Sequence, residues 1–149
     1  WVTPEMSDVF VLRTSEAYLN LAEAAACGED EVTARKALND LRERRIRREA
    51  FDEAEVNALS GEELVRFIRE ERQRELCLEG HRWFDLRRYG MPEIKHVYQE
   101  SETAPKMVYT LKEKDRMYTL PIPPSVMEKN RQLVQNVSDS EPLRQGVVE

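Results

Sequence analysis

The sequence predicts an all-α fold with irregular C-terminal loops and little strand, and three observations carry that reading. From Thr14 to Arg48 two helical patterns follow one another, separated only by a few residues around Gly28. From Ser60 to Glu79 a charged segment opens on a capping-box sequence and spaces its apolar residues at a helical period. Beyond Met91, prolines and polar runs replace any helical period.

Bulk properties narrow the class. A chain of 149 residues suits one domain, and at that size roughly 70% of the unfolded surface is buried on folding. The hydrophobic share of 40% beside 35% charged residues is globular, not disordered. No apolar run approaches the ~18 residues of a membrane-spanning helix. With 29 acidic against 23 basic residues, the net charge of −6 argues against a general nucleic-acid binder. Cys27 and Cys77 stand far apart, which excludes a disulfide-dense mini-protein and a Cys-pair zinc site. The chain begins Trp1-Val2-Thr3-Pro4, as expected of a processed precursor or a piece of a longer protein. Residues 1–137 are read as the folded domain and 138–149 as a polar tail.

Thr14 and Ser15 are N-cap residues ahead of a stripe formed by Ala17, Tyr18, Leu21, Ala22 and Ala25. Gly28 stops that helix. A second helix, from about Asp30 to Arg48, buries Ala34, Ala37, Leu38 and Leu41, and the short link makes the two an antiparallel hairpin. The basic run Arg42 to Arg48 resembles a phosphate-binding patch. It has no interleaved aromatics, however, and acidic Asp52, Glu53 and Glu55 follow at once, so it reads as an ion-pairing helix end.

Ser60 and Glu63 frame the third helix, which should run to about Glu79. Its apolar stripe is Leu64, Val65, Ile68 and Leu76, and Arg72, Glu75 and Glu79 lie in the middle of it. Charges on a buried stripe are costly unless paired. The expectation is a partly buried network of Arg42, Arg44, Arg72, Glu75, Glu79, Arg82 and Asp85, with Arg45, Arg87 and Arg88 as further cations, locking this helix to the hairpin. A glycosidase-like role for Glu75 and Glu79 is the sharper alternative. A general acid must hold a proton near neutral pH, and neighbouring arginines favour the charged form, so pairing is preferred.

His81 to Gly90 reads as a short helix in which Trp83 and Phe84 serve as core anchors in preference to a sugar-stacking platform. Glu93 and His96 have the Glu-x-x-His spacing of di-iron sites. A single copy lacks the second motif and the extra carboxylates, so Pro92 to His96 is read as a solvated turn and no metal or cofactor is expected. Glu100 to Arg116 reads as an irregular loop with room for a small hairpin around Val108, Tyr109 and Leu111. Met117 to Leu120 is strand-like, Pro121-Ile122-Pro123-Pro124 forces an extended path, Ser125 caps a short helix, and Gln135-Asn136 closes the ordered part.

Four motifs together resemble the C-terminal portion of the SusD/RagB family of outer-membrane nutrient-binding lipoproteins. They are Arg13-x-Ser15-Glu16-Ala17-Tyr18-Leu19-x-x-Ala22-Glu23-Ala24, then Ala37-Leu38-Asn39-x-Leu41-Arg42-x-Arg44. The third runs from Glu71-Arg72-x-Arg74-Glu75 through Gly80-His81-Arg82-Trp83-Phe84-Asp85 to Gly90. The last is Leu120-Pro121-Ile122-Pro123 followed by Asn130 and Gln135-Asn136. The resemblance covers roughly Val9 to Val137 and implies tetratricopeptide-like helix pairs. It also implies a non-catalytic, lipid-anchored surface protein that captures glycans, oligosaccharides or peptides for a SusC-like TonB-dependent transporter. The family's N-terminal half, with its lipid-bearing cysteine, has no counterpart in this sequence. Glu75, Arg82, Trp83 and Asp85 would be architectural. Ligand contacts are expected in the loop from about Met91 to Met117, with Tyr98 and Tyr109 as stacking rings. A helical-repeat protein-interaction module is the rival reading.

Overall fold

A computed structural model describes residues 13–136 and 146–148 of the chain. They divide into two compact units, one up to Arg82 and one from Trp83 onward.

The first unit is helical. α1 (Thr14–Cys27) and α2 (Glu31–Arg42) form the expected hairpin, joined through Gly28. The Gly28 N–H closes the last turn of α1 on the carbonyls of Ala24 and Ala25. Asp30 caps α2 by accepting the Thr33 N–H at 3.1 Å. α3 (Glu53–Asn57) is a single turn and a half, capped by Asp52 through the Ala54 N–H. α4 (Gly61–Glu75) packs on α1, and its core residues Leu64 and Ile68, with Leu76 just past its end, meet Leu19, Ala22, Ala34, Leu38 and Val56 in one cluster.

Four expectations change here. The buried side of α1 is Ser15, Leu19, Ala22 and Glu23, while Tyr18 and Leu21 of the expected stripe are exposed. The apolar residues of α1 spread over more than half of its circumference, so its own period does not select a face; α2 and α4 do. α2 ends at Arg42, not Arg48, because Arg42 turns into the unit toward acidic partners and the arginines after it offer no apolar stripe to bury. Ser60 has N-cap geometry but makes no side-chain cap. The Gly61 N–H is instead taken by Glu31 Oε1 at 2.6 Å, a carboxylate from α2. Finally, α4 stops at Glu75, and the left-handed Leu78 (φ 65°) turns the chain before Glu79, with Gly80 (φ 84°) turning it again just after.

The second unit holds most of α5 (His81–Arg88), a small antiparallel sheet and the proline segment. β1 (Ile94–Tyr98) pairs with β2 (Met107–Leu111), His96 opposite Tyr109 and Tyr98 opposite Met107. The expected turn at Pro92 to His96 is therefore largely a strand. Its pairing partner lies several residues downstream, so nothing local to Pro92–His96 discloses it. β3 (Val147–Val148), inside the stretch expected to be a tail, pairs with the other edge of β2; residues 138–145 lie outside the described residues. Around the strand-like Met117, residues Arg116–Tyr118 form a single 3-10 turn capped by Asp115. Tyr118 is buried there, its ring stacked on Trp83 at 5.0 Å and its hydroxyl donating to the Pro92 carbonyl at 2.5 Å. Trp83 is thus an anchor, whereas Phe84 is 67% exposed. α6 (Pro124–Lys129) starts on Pro124 at N1, one residue before the expected Ser125 cap. The Gln135 amide clamps Ile122, accepting its N–H at 2.7 Å and donating to its carbonyl at 2.9 Å.

Candidate functional site

α1 and α4 meet along a charged seam. Arg69 Nε donates to Glu23 at 3.1 Å, Arg72 Nη1 to Asn20 at 2.9 Å, and Arg13 Nη2 to Glu75 at 2.7 Å. Arg72 also lies 3.5 Å from Glu16, and Arg13 pairs with Glu79. As the α1 numbers fall the α4 numbers rise, so the helices run antiparallel with partners about one turn apart. Arg45, just beyond α2, completes the setting of Glu75 with two Nε contacts at 2.9 and 3.0 Å.

A second knot ties α2 to α4. The Arg42 side chain is only 7% exposed; it donates to Glu71 at 3.2 Å and pairs with Glu55. Arg74 joins Glu71 at 2.7 Å, and both guanidiniums lie over the Phe67 ring, 4.9 and 5.8 Å from its centroid.

Of the residues singled out in the sequence, Glu75 and Glu79 meet through Arg13, and Arg42 and Arg72 are both buried and paired. Asp85 is buried in the second unit and pairs with Arg88 at 3.0 Å. Arg44 and Arg82 are exposed and make no ion pair among the described residues. Arg13, Glu71 and Glu55 were missed. Arg13 precedes its helix and Glu55 follows an irregular turn, so neither falls on a stripe that a helical wheel displays. Glu71 does sit on α4, next to Arg72, and the wheel gave no reason to prefer it.

Tyr98 and Tyr109 share a face of the β1–β2 hairpin, because residues opposite one another in a ladder project to the same side. They are diagonal neighbours, 57% and 40% exposed. That face also carries His96 and Met107. Gly146 sits against Tyr109, where an added Cβ would fall 2.8 Å from the ring carbon Cζ. The missing side chain is what lets the phenol lie across the end of β3.

The first unit is an ion-paired stack of helices, and the second has a hairpin with two exposed tyrosines on one face. Comparison with known proteins identifies the family. The SusD family profile matches residues 5–138, and the chain belongs to that family. Among solved structures it is similar to a SusD-like protein from Bacteroides fragilis NCTC 9343, with 27% identity and a TM-score of 0.52 over 91% of this chain. The match covers 28% of that protein, so the chain spans less than a third of its relative's length. A search of curated proteins returned no match. No helix among the described residues is long and apolar enough to cross a membrane.

Proposed function

We propose that this chain is part of a non-catalytic nutrient-binding lipoprotein of the outer membrane, which captures glycans and passes them to a SusC-like TonB-dependent transporter. Membership of the SusD family across residues 5–138 carries the reading. The occupancy of the two candidate carboxylates supports it. Glu75 is taken up by Arg13 and Arg45 with its side chain only 9% exposed, and Glu79 by Arg13. Carboxylates engaged in this way brace the end of α4 against the start of α1. On this reading 1–137 is the structural domain, and the ion pairs made by Arg42, Arg72, Glu75 and Glu79 in the first unit and by Asp85 in the second are architectural.

The ligand surface is the hairpin face. Tyrosine rings present apolar faces to the C–H side of a pyranose while their hydroxyls stay in water, and Tyr98 and Tyr109 stand exposed side by side. Titration of the chain with maltoheptaose, xylohexaose and mannohexaose in a calorimeter tests this. Binding of at least one sugar, weakened tenfold or more by Tyr98→Ala with an unchanged melting temperature, is the expected result. Heat of binding absent for every sugar, or release of reducing ends that Glu75→Gln abolishes, would refute it.

A further inference from the structure

We propose that Leu78 is a docking knob, which in the longer protein fills an apolar pocket on the portion that lies outside these 149 residues. The inference rests on the reading that this chain is part of a longer lipoprotein, and it uses none of the residues assigned to the sugar surface.

Two costs meet at this residue. Leu78 is 100% exposed, more than any other large apolar side chain among the described residues. It also sits at φ 65°, in the left-handed region that favours glycine because a Cβ crowds the following carbonyl. The Glu79 N–H donates to the Leu76 carbonyl at 3.3 Å. Leu78 is therefore the third residue of a four-residue turn, where a positive φ ordinarily selects glycine or asparagine. A leucine exposed by itself is common on protein surfaces. One that is both exposed and held in a glycine-like conformation is not, and backbone strain of that kind persists where the surroundings impose it and clusters at functional contacts.

The surroundings do impose it. Leu76 is 4% exposed and anchored in the helical core, and Glu79 is paired with Arg13, which also holds Glu75. The chain is thus fixed two residues before Leu78 and one residue after it, and the turn between presents the side chain to solvent as a rigid apolar projection.

Chemistry and connectivity identify the occupant. A branched aliphatic side chain gains by leaving water for an apolar cavity. The SusD-like relative is matched over 28% of its length, so most of that protein has no counterpart in these residues. A covalently attached portion meets Leu78 at an effective concentration in the millimolar range or above. Burial then offsets the strain at all times, whereas a partner that dissociates would leave the free protein with both costs. The same unit leaves Tyr18, Leu21 and Val32 exposed, further apolar surface for the attached portion to cover.

The experiment is hydroxyl-radical footprinting, read by mass spectrometry at Leu78, on this chain and on the full-length protein. Leu78 should label fully in the chain and about tenfold less in the full-length protein, as expected of a side chain that goes from exposed to buried. Leu78→Gly adds a readout that a merely exposed residue would not give. It relieves the turn and should hold or raise the melting temperature of the chain, yet it empties the pocket and should lower that of the full-length protein. Equal labelling of Leu78 in the two proteins, or Leu78→Gly moving both melting temperatures in the same direction, overturns the inference. Protection that appears only as concentration rises, with a dimer in light scattering, assigns Leu78 to a second copy and overturns it as well. Sugar binding by a full-length protein whose Leu78 still labels fully removes this inference and leaves the proposed function standing. Protection of Leu78 without binding of any sugar does the reverse. A gene that encodes nothing beyond these residues overturns the inference together with the reading that the chain is part of a longer protein.

Discussion

Replacing Glu75 with alanine probes whether charges inside the helical stack brace it. The carboxylate accepts from Arg13 Nη2 at 2.7 Å and from Arg45 Nε at 2.9 and 3.0 Å, with its side chain 9% exposed. Stranding a fully buried partner costs about 3–5 kcal/mol, whereas an exposed pair contributes about 0.2–1 kcal/mol. The arginines left behind lie between these limits. Arg45 is 44% exposed and turns into water, and Arg13 keeps Glu79 and the Glu75 carbonyl. The loss should therefore be about 1–2 kcal/mol, a fall in melting temperature of about 3–8 °C. Glu71→Ala should cost more, about 2–3 kcal/mol, since the Arg42 side chain it abandons is 7% exposed and keeps just one carboxylate, Glu55, beside the Phe67 ring. Urea unfolding with unchanged m-values gives both numbers. A Glu75→Ala curve that superposes on the parent, or a Glu71→Ala protein more stable than Glu75→Ala, would refute the argument that cost tracks the burial of the stranded guanidinium.

Three further outcomes are expected. Tyr118→Phe keeps the stacked ring against Trp83 but loses the hydroxyl bond to Pro92, so stability should fall by about 1 kcal/mol with near-ultraviolet dichroism preserved. Gln135→Leu removes both bonds to the Ile122 backbone, and exchange of the Ile122 amide with deuterium should accelerate about tenfold, consistent with about 1.4 kcal/mol of lost protection. The pKa of Asp30 is held below the ordinary carboxylate value by hydrogen bonding from Thr33, its side chain first and then its N–H. Its cap therefore stabilises α2 fully above pH about 4 and is lost as the pH falls through the lower folded-state value. Asp30→Asn, still a good cap, should flatten that acid limb of a helicity titration followed by circular dichroism.

Sequence alone determined the elements whose order is local. Ala34, Ala37, Leu38 and Leu41 recur at helical spacing on a helix that is polar elsewhere apart from Val32, and all four are buried in the structure. Leu64, Ile68 and Leu76 behave the same way, as does Gly28 as a stop. Four motifs together, the longest from Glu71 to Gly90, indicate the family in the sequence. Tertiary structure alone decided which side of α1 is buried, because apolar residues spread over more than half of that helix's circumference leave its choice to whatever packs on it. The partners in the charged seam belong to the same category: Arg13 reaches Glu75 across 62 positions and Arg42 reaches Glu71 across 29. So does the strand at Ile94, which exists through its ladder with Met107–Leu111. Helical period is a property of neighbours along the chain, while ion pairs, strand pairing and the buried side of an ambiguous helix depend on distances that only the folded chain creates.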